Sequence, residues 1–430
     1  MEFKGITRTF TVAASSILLG LSGGSPASAD PIADFYKGKV MTIYIGVAAG
    51  GGYDAYGRVV ARHIIRHIPG NPDMVAKNYT GAGGIRMVNA LYNVFPQDGT
   101  VVAIIGRNVV AEPLFGNKSA KYDGSRIQWL GSLNSEYSMC TFWHESPIKT
   151  TEDLLTRRAV VGGVGVGSTI DVHTRLVNNL LGAKLKLVTG YPGGADVNLA
   201  TERREVDGRC GWSWSSILAT GADWLKNDKI SMTIQFAMKK HPDLQNVPLI
   251  LDMVRNERDR KALKVHLAAQ LYGRPLGVGP GVPKERFLAL RKAFDATMKD
   301  SEFLADAKKR RLPIDPTSGE DVQAMIDEVY AMPRDIIEYA HHLGTSSDRT
   351  EVATAVVPVV TYKGIIADVK RGGRRVSWSG EGKKGRLRVS GSGTEISIAG
   401  AKGKRGALKP GMLCAFTVKG AETALKIACN

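Results

Sequence analysis

The chain has 430 residues, of which 43% are hydrophobic and 23% are charged, and its formal net charge is +17. At ~150 residues per domain this length predicts several domains, and the composition excludes wholesale disorder and a multi-span membrane protein. The charge is uneven, because residues 351–430 carry 15 Lys and Arg against 5 Asp and Glu, a net charge of +10, whereas residues 30–350 carry +6. This asymmetry predicts a separate, strongly basic C-terminal domain.

Residues 1–29 have the pattern of a secretory signal peptide. Lys4 and Arg8 precede a short apolar stretch, and Ala27-Ser28-Ala29 is a small-residue cleavage site. The pattern predicts an exported chain whose mature form begins at Asp30. An uncleaved anchor or a buried first helix is the alternative, which the glycines and the proline that interrupt the apolar run disfavour.

The first half of the body alternates apolar strands, glycine-rich loops and helices. A strand over Val40–Val47 leads through the loop 49–54 to a helix from Tyr56 to Ile68, for which Asp54 is a candidate N-cap. A second unit joins a strand over 74–78, a glycine-rich loop over 80–84 and a helix from 85 to 94, and a third strand covers 100–105. This alternation predicts an α/β fold with parallel sheets.

The second half repeats this order. A strand over 159–161 leads into a glycine-rich loop, after which Ser168 and Thr169 begin a helix that runs to Leu181. Another strand, over 185–189, leads into the loop 190–194 and a helix from 195 to 204. A strand over 206–210 comes next, and Trp212 beyond it lines a cleft or belongs to the core.

The four glycine-rich loops are the main functional signal. A loop that opens a helix presents unpaired N–H groups and partial positive charge, and glycine lets a ligand approach the backbone, so each loop is a candidate anion site. None matches a P-loop, and none matches the dinucleotide fingerprint, so we expect no cofactor. His63 and His67 have metal-ligand spacing, but Arg62 and Arg66 between them favour a solvated basic face, and no metal is predicted.

Arginines are the other candidates for anion binding. Arginine usually lies at the surface of a protein. The candidates to reach the cleft are Arg58, Arg62, Arg86, Arg107, Arg175 and Arg274.

The four cysteines fit an oxidising compartment. Cys414 and Cys429 flank a predicted hairpin around Gly420 whose register places them opposite each other, which predicts a disulfide. Cys140 and Cys210 are a second candidate pair, with two buried free thiols as the alternative.

The C-terminal region, from Tyr362, alternates apolar and polar residues in short runs separated by glycines. This pattern predicts a small antiparallel β-barrel of five or six strands. Its charge favours an anionic envelope polymer or phospholipid headgroups as a partner, and a basic barrel without a partner is the alternative. Nucleic acid is not expected, because an exported chain rarely meets it.

The body resembles the substrate-binding proteins of tripartite tricarboxylate transporters, the Bug-type periplasmic binding proteins. The resemblance covers about residues 35–345, with Thr80 standing where the family has proline. It implies a two-lobed type II periplasmic-binding-protein fold with a small carboxylate held between the lobes. The matching segments are Gly50–Asp54, Asn78–Gly84, Pro96–Thr100, Gly190–Gly194, Glu205–Gly208 and Pro280–Pro283.

The resemblance also implies a division of the chain. Lobe 1 covers 30–130 and is completed by about 270–345, and lobe 2 covers 131–269. A linker over 346–361 then leads to the basic β-domain over 362–430.

The resemblance places the carboxylate on backbone amides of the first glycine-rich loop, opposite loops of the second lobe. The ligand-binding residues predicted in lobe 1 are Gly51, Gly52, Tyr53, Asp54, Gly81, Ala82, Gly83 and Gly84. Those predicted in lobe 2 are Ser168, Thr169, Tyr191, Gly193, Gly194, Ala195, Gly211 and Trp212.

The expected function is that of a periplasmic solute receptor, which captures a small organic carboxylate and delivers it to the membrane subunits of a tripartite transporter without catalysis. One alternative is a sensor component that docks on a signalling receptor. Another is an exported serine hydrolase using Ser168, which the absence of a nucleophile elbow and of a placed histidine disfavours.

Overall fold

A computed structural model of the protein describes Met1 and residues 30–355, 359–380, 382–391, 393–419 and 423–430. The signal peptide predicted over 1–29 therefore lies, beyond Met1, outside the described residues. Within them, every helix is too short or too polar to span a bilayer.

All α-helices in the described part of the chain belong to the two lobes of the body. In chain order they are α1 (Pro31–Tyr36), α2 (Gly52–His63), α3 (Ile85–Asn93), α4 (Thr151–Thr156), α5 (Thr169–Leu181), α6 (Gly194–Glu202), α7 (Trp214–Thr220), α8 (Ala222–Lys226), α9 (Ile250–Met253), α10 (Glu257–Leu271), α11 (Lys284–Lys299), α12 (Ser301–Lys309), α13 (Gly319–Tyr330) and α14 (Arg334–Thr345).

The strands of the same residues form three sheets. They are β1 (Val40–Ile45), β2 (Asp73–Asn78), β3 (Val101–Ile104), β4 (Gln128–Ser132), β5 (Ser138–Trp143), β6 (Arg158–Gly162), β7 (Lys184–Thr189), β8 (Gly208–Ser213), β9 (Ile230–Phe236), β10 (Pro275–Val278), β11 (Thr317–Ser318), β12 (Val352–Thr354), β13 (Val359–Lys370), β14 (Arg375–Gly380), β15 (Lys383–Arg388), β16 (Glu395–Ile398), β17 (Ala401–Lys402), β18 (Leu413–Lys419) and β19 (Thr423–Cys429).

Two mixed α/β lobes make up the body, which confirms the predicted fold class. The sheet of lobe 1 has the order β11-β4-β10-β3-β1-β2, and the sheet of lobe 2 has the order β12-β7-β6-β8-β5-β9. The strands that the glycine-rich loops follow pair in parallel, β1 with β2 and β6 with β7, so these loops emerge at one edge of each sheet.

The hinge between the lobes consists of two antiparallel crossing segments and the connection from α13 to α14. The backbone N–H of Glu136 donates to the carbonyl of Gln270 (2.7 Å), and that of Gly273 donates to the carbonyl of Asn134 (2.9 Å). Because these segments are hydrogen-bonded to each other, they join the lobes as a short two-stranded strap.

The last helix and strand of the body lie with lobe 2, whereas the sequence analysis places 270–345 with lobe 1 and 346–361 in a linker. Helix α14 packs on α5 and α10 through Ile337, Ala340 and Leu343, which belong to the core of lobe 2. Strand β12 pairs in parallel with β7 at the edge of the same sheet. The spacing of this apolar stripe predicts a helix, but it carries no information about which lobe the helix joins.

One local prediction in the first unit is wrong. Helix α2 begins at Gly52 with Gly51 as its N-cap, so Asp54 lies in the first turn. Arg62 and Arg66 are exposed, as the predicted solvated basic face requires, but His63 lies 3.0 Å from Asp306 of α12, and His67, just after α2, lies 2.8 Å from Asp300. The sequence pattern of α2 alone could not predict these carboxylates, because they come from a distant part of the chain.

The C-terminal sheet has the order β15-β14-β13-β18-β19-β16-β17, and its core contains Trp378 and Phe416. It departs from the predicted antiparallel barrel. Among the residues that the structure describes, a single bridge, Arg388 opposite Thr423, joins β15 to β19, so the barrel is not closed, and β16 pairs with β19 in parallel. Alternation of apolar residues identifies strands, but it does not specify the partner or the direction of pairing.

Both candidate disulfides are formed. Cys140–Cys210 joins β5 to β8 in the core of lobe 2, and Cys414–Cys429 joins β18 to β19 at directly opposed positions. A register shift after Thr417 changes the pairing nearer the turn, and the turn residues 420–422 lie outside the described residues.

The Cys414–Cys429 disulfide is expected to stabilise the C-terminal sheet specifically. Closing a loop of 15 residues corresponds to about 3 kcal/mol of unfolding free energy. We expect Cys414→Ala/Cys429→Ala to lower the urea concentration at which proteases cleave this sheet, with the body unchanged. The parent chain under reducing conditions should reproduce the loss, and equal urea resistance of parent and variant would contradict the prediction.

Candidate functional site

A cavity of about 100 Å³ lies between the two lobes, at the ends of the strands from which the glycine-rich loops emerge. Its wall comes from both lobes and from the hinge residue Arg274. The lining residues used below are Gly50, Gly51, Gly52, Tyr53, Gly83, Arg107, Ser168, Thr169, Gly193, Gly194, Ala195, Asn198, Arg209, Gly211, Trp212, Ser213, Ser216 and Arg274.

Eleven of the sixteen predicted ligand-binding residues lie in this wall, and their contact with a ligand stays a prediction. They are Gly51, Gly52, Tyr53, Gly83, Ser168, Thr169, Gly193, Gly194, Ala195, Gly211 and Trp212. Outside the wall are Asp54, Gly81, Ala82, Gly84 and Tyr191.

Asp54 lies behind the first glycine-rich loop and fixes its shape. Its carboxylate accepts hydrogen bonds from the backbone N–H of Gly50 (3.0 Å), Nε of Arg58 (2.9 Å) and Nδ2 of Asn78 (2.8 Å). Burial alone would raise the pKa of Asp54, but these donors outweigh it and hold the pKa below its usual value. The residue therefore orders the loop from the side away from the cavity.

Tyr191 and the Gly81–Gly84 segment have other surroundings. Tyr191 is buried in a small apolar cluster with Val197 and Val206. A Cβ on Gly83, the one residue of its segment in the wall, would come within 2.8 Å of the carbonyl oxygen of Val166 in lobe 2. The segment thus touches the opposing lobe directly.

Glycines also bring the lobes together at two further points. A Cβ on Gly193 of lobe 2 would lie 2.9 Å from Cβ of Ala48 in lobe 1, and a Cβ on Gly52 would overlap the hydroxyl of Ser216. Real Cβ atoms do not approach other atoms this closely. The described arrangement is therefore a closed one, in which the absence of side chains at these positions permits the contact.

Three helices begin at the cavity wall. The N-cap of α2 is Gly51, that of α5 is Ser168 and that of α6 is Gly193. A helix start carries partial positive charge, so these termini from both lobes favour an anion between them. The hydroxyl of Ser168 is engaged as a cap and bonds to Asp171 at 2.9 Å, which gives it a structural partner.

Arg107 and Arg209 add full positive charge to the wall. Arg107 is 1% exposed, and its Nη2 donates to the hydroxyls of Ser138 (2.7 Å) and Ser213 (3.2 Å). Nη1 of Arg209 donates to the carbonyl of Gly194 (2.9 Å) and to Oδ1 of Asn198 (3.1 Å).

Neither of these guanidiniums forms an ion pair with a carboxylate of the described residues, and the Nε of each has no hydrogen-bond partner there. Burial lowers the pKa of Arg209 to about 9, so it remains charged at neutral pH. A buried charge without a counter-charge is unfavourable, and it marks a place for an anion.

Arg274, the third arginine, has its own counter-charge. Its Nη2 lies 2.9 Å from Oε1 of Glu136, and both side chains are 1% exposed. It also donates to Ser216 (2.7 Å) and lies over the ring of Tyr53, 4.2 Å from the centroid. Since no carboxylate lines the cavity among the described residues, the wall keeps an excess charge of two from the other two arginines.

Sequence reasoning considered Arg107 and Arg274 only as candidates among six arginines, and Arg209 was missed. The other four, Arg58, Arg62, Arg86 and Arg175, do not line the cavity. Arg209 lies inside β8, a strand in which all six residues are buried, and no local sequence pattern marks that burial. The described residues contain no group of three or more His, Cys, Asp or Glu side chains that could hold a metal ion.

Several solved structures share the fold of the body, and one of them is the periplasmic binding protein BugD. BugD has 17% identity and a TM-score of 0.57, over 71% of this chain and 98% of its own. MatC from Rhodopseudomonas palustris, solved with bound malate, has 16% identity and a TM-score of 0.56, over 70% and 99%. A second protein of that organism, solved with adipate, has 18% identity and a TM-score of 0.55, over 70% and 97%. No protein-family model matches the sequence, and no curated protein is significantly similar to it.

Glu112 is expected to make the stability of the closed body depend on pH. Its carboxyl group is buried against Gly167 of the opposing lobe, and burial raises its pKa, which the hydrogen bond from Asn117 opposes only in part. The folded chain therefore binds this proton more tightly than the unfolded chain. Stability falls as pH rises from the ordinary pKa of 4.5 through the raised value.

We expect Glu112→Gln to unfold at a higher temperature than the parent at pH 7, and at the same temperature at about pH 4, where the parent carboxyl group is protonated. Thermal unfolding across this pH range measures the difference. The exposed Glu328→Gln is the matched control. A variant less stable than the parent at pH 7 would contradict the prediction.

Proposed function

We propose that this protein is a periplasmic receptor for a small organic dicarboxylate. The observation that carries the proposal is the pair of buried guanidiniums, Arg107 and Arg209, that reach a closed interlobe cavity without a carboxylate partner among the described residues. A ligand with two carboxylates would supply both missing counter-charges.

The energetics favour binding of the ligand as an anion. Each of the two guanidiniums is buried without a carboxylate partner among the described residues, and an unpaired buried charge costs several kcal/mol. Charge-assisted hydrogen bonds to a carboxylate recover that cost and add the fork geometry of arginine. The N-termini of α2, α5 and α6 contribute further N–H donors from both lobes.

The size of the cavity supports a small ligand. Its volume of about 100 Å³ is well below the ~300–1,000 Å³ of pockets for drug-sized molecules. Malate and adipate, the ligands of two proteins with this fold, each carry two carboxylates. A ligand of this kind would match the two positive charges of the cavity wall.

The mechanism is capture followed by delivery. Because the cavity is enclosed by contacts between the lobes, the ligand enters when the lobes part about the hinge, and it favours the closed form by binding both of them. The closed form then docks on the membrane subunits of a transporter, which release the ligand on the other side. After removal of residues 1–29 the mature chain would work in the periplasm, as a binding protein that makes and breaks no covalent bond. An anionic envelope polymer remains the second partner that we propose, through the basic C-terminal domain.

Thermal unfolding of residues 30–430 with a panel of carboxylates tests the ligand class. We expect a dicarboxylate to raise the unfolding temperature, since a ligand at ~100 times its Kd adds about 2.7 kcal/mol. Arg209→Gln should weaken that ligand at least about tenfold, or about 1.4 kcal/mol. The exposed Arg126→Gln removes the same charge elsewhere and should bind like the parent. No response to any carboxylate would contradict the proposal.

Lobe closure is tested at Gly52. We expect Gly52→Ala to weaken ligand binding, because the added methyl group meets Ser216 when the lobes close. Gly51→Ala, beside it, adds the same methyl group where no atom lies within 4 Å, and it should cost less affinity. Calorimetric affinity and the ligand-induced change in radius of gyration measure the effect. Equal losses of affinity in the two variants would contradict the prediction, since they would show that the substitutions disturb the loop rather than the closing of the lobes.

A further inference from the structure

A second cavity, of about 820 Å³, lies between edge strand β2 of lobe 1 and the C-terminal sheet. We call it the arginine groove. No Asp or Glu lines it among the described residues, and it contains seven arginines. These are Arg58, Arg62, Arg371, Arg374, Arg375, Arg388 and Arg405.

Arginines of the C-terminal domain line this groove, whereas its lysines lie elsewhere. Residues 351–430 contain six arginines and nine lysines, and five of the arginines but none of the lysines line it. Net charge alone would not distinguish the two residue types. Arginine differs from lysine in presenting a planar fork of donors that matches the oxygens of an oxyanion.

Most arginines of the groove come from its C-terminal side, which contributes five of the seven. The two arginines of lobe 1 have carboxylate partners, Asp54 for Arg58 (2.7 Å) and Asp306 for Arg62 (2.6 Å), and Asp306 is shared with Arg310. The C-terminal domain therefore contributes the larger number of guanidiniums to the groove.

Local structure holds these arginines together. The turn 371–374 packs on the segment of Arg405, because a Cβ on Gly373, which has φ +80°, would collide with the carbonyl oxygen of Arg405. On the adjoining strands, Arg375 is directly opposite Arg388. The fold thus gathers guanidinium groups from the turn, the two strands and the segment of Arg405 at one side of the groove.

We propose that the arginine groove binds an anion that carries phosphate groups. A phosphate group offers three acceptor oxygens and a charge near −2, so it can be held by several guanidiniums at once, whereas a carboxylate offers two oxygens. The groove is recessed between two domains, so it fits a phosphate-bearing chain or a headgroup that enters it. This site is separate from the interlobe cavity and does not depend on the function proposed for it.

Inorganic tripolyphosphate is the probe for the soluble source of phosphate, measured by calorimetry with residues 30–430. We expect binding that weakens steeply with added salt, because the groove is open to solvent. Arg371→Gln/Arg374→Gln should weaken tripolyphosphate at least about tenfold, or about 1.4 kcal/mol. Both side chains are exposed, so the thermal unfolding of the variant should match that of the parent.

Lys383→Gln/Lys384→Gln is the matched control, since it removes the same two charges from an exposed part of the same sheet outside the groove. It should bind tripolyphosphate nearly as the parent does. Equal weakening by the two double variants would show attraction by net charge alone and would overturn the proposal.

Vesicles of phosphatidylcholine with about 30% phosphatidic acid, whose headgroup is a phosphate monoester, test the lipid source. Sedimentation with these vesicles that is lost in Arg371→Gln/Arg374→Gln, and is absent with pure phosphatidylcholine, supports the groove with a headgroup as its ligand. Tripolyphosphate binding without sedimentation supports it with a soluble ligand. Failure of the parent chain to bind either probe at low salt overturns the proposal.

Discussion

The closed arrangement of the two lobes depends on the buried ion pair between Arg274 and Glu136. A pair that is 1% exposed on both sides contributes little net stability, but removal of one partner typically costs about 3–5 kcal/mol, because the other charge is left unpaired. Arg274 reaches Ser216 of lobe 2 and Tyr53 of lobe 1 at once, while Glu136 lies in the hinge. The pair therefore fixes how the lobes face each other, which in turn brings Arg107 and Arg209 to one cavity.

The three arginines of the cavity wall differ in whether a carboxylate neutralises them. The guanidinium of Arg274 is paired with Glu136 and surrounded by hydroxyls and an aromatic ring, so its charge needs no ligand. Arg107 and Arg209 have no carboxylate partner among the described residues. They are held by neutral hydroxyl, carbonyl and amide oxygens, which orient them without neutralising them. Neutral partners can fix a direction for the guanidinium while leaving its charge for an anion.

Local sequence signals predicted the order of elements and the loops that reach the cavity, because the glycine-rich loops follow parallel strands and so must meet at one edge of each sheet. The resemblance supplied the ligand-binding residues, eleven of which lie in the cavity wall. The local signals did not predict Arg209, because burial of a charge is decided by what the tertiary fold places around it. The same limit explains why α14 joined lobe 2 and why β16 paired in parallel with β19, since neither helical spacing nor strand alternation encodes a partner. Asp54 is an intermediate case, in which the right loop was identified but the side chain acts from behind it.

The interlobe cavity and the arginine groove differ in their exposure to solvent. This difference determines how selective each site can be for its anion. In the interlobe cavity, Arg107 and Arg209 are buried, so their attraction for an anion is weakly screened, and the walls limit the size of an anion that fits. In the open arginine groove, charges act across water with a screening length of about 8 Å at physiological ionic strength, so several phosphates would have to act together.

Ala48 lies in the wall of both sites, and Arg58 of the groove bonds to Asp54, which orders the loop at the cavity. The appended sheet is therefore built against the part of lobe 1 that shapes the interlobe cavity, and an anion in the groove would lie directly behind the first glycine-rich loop.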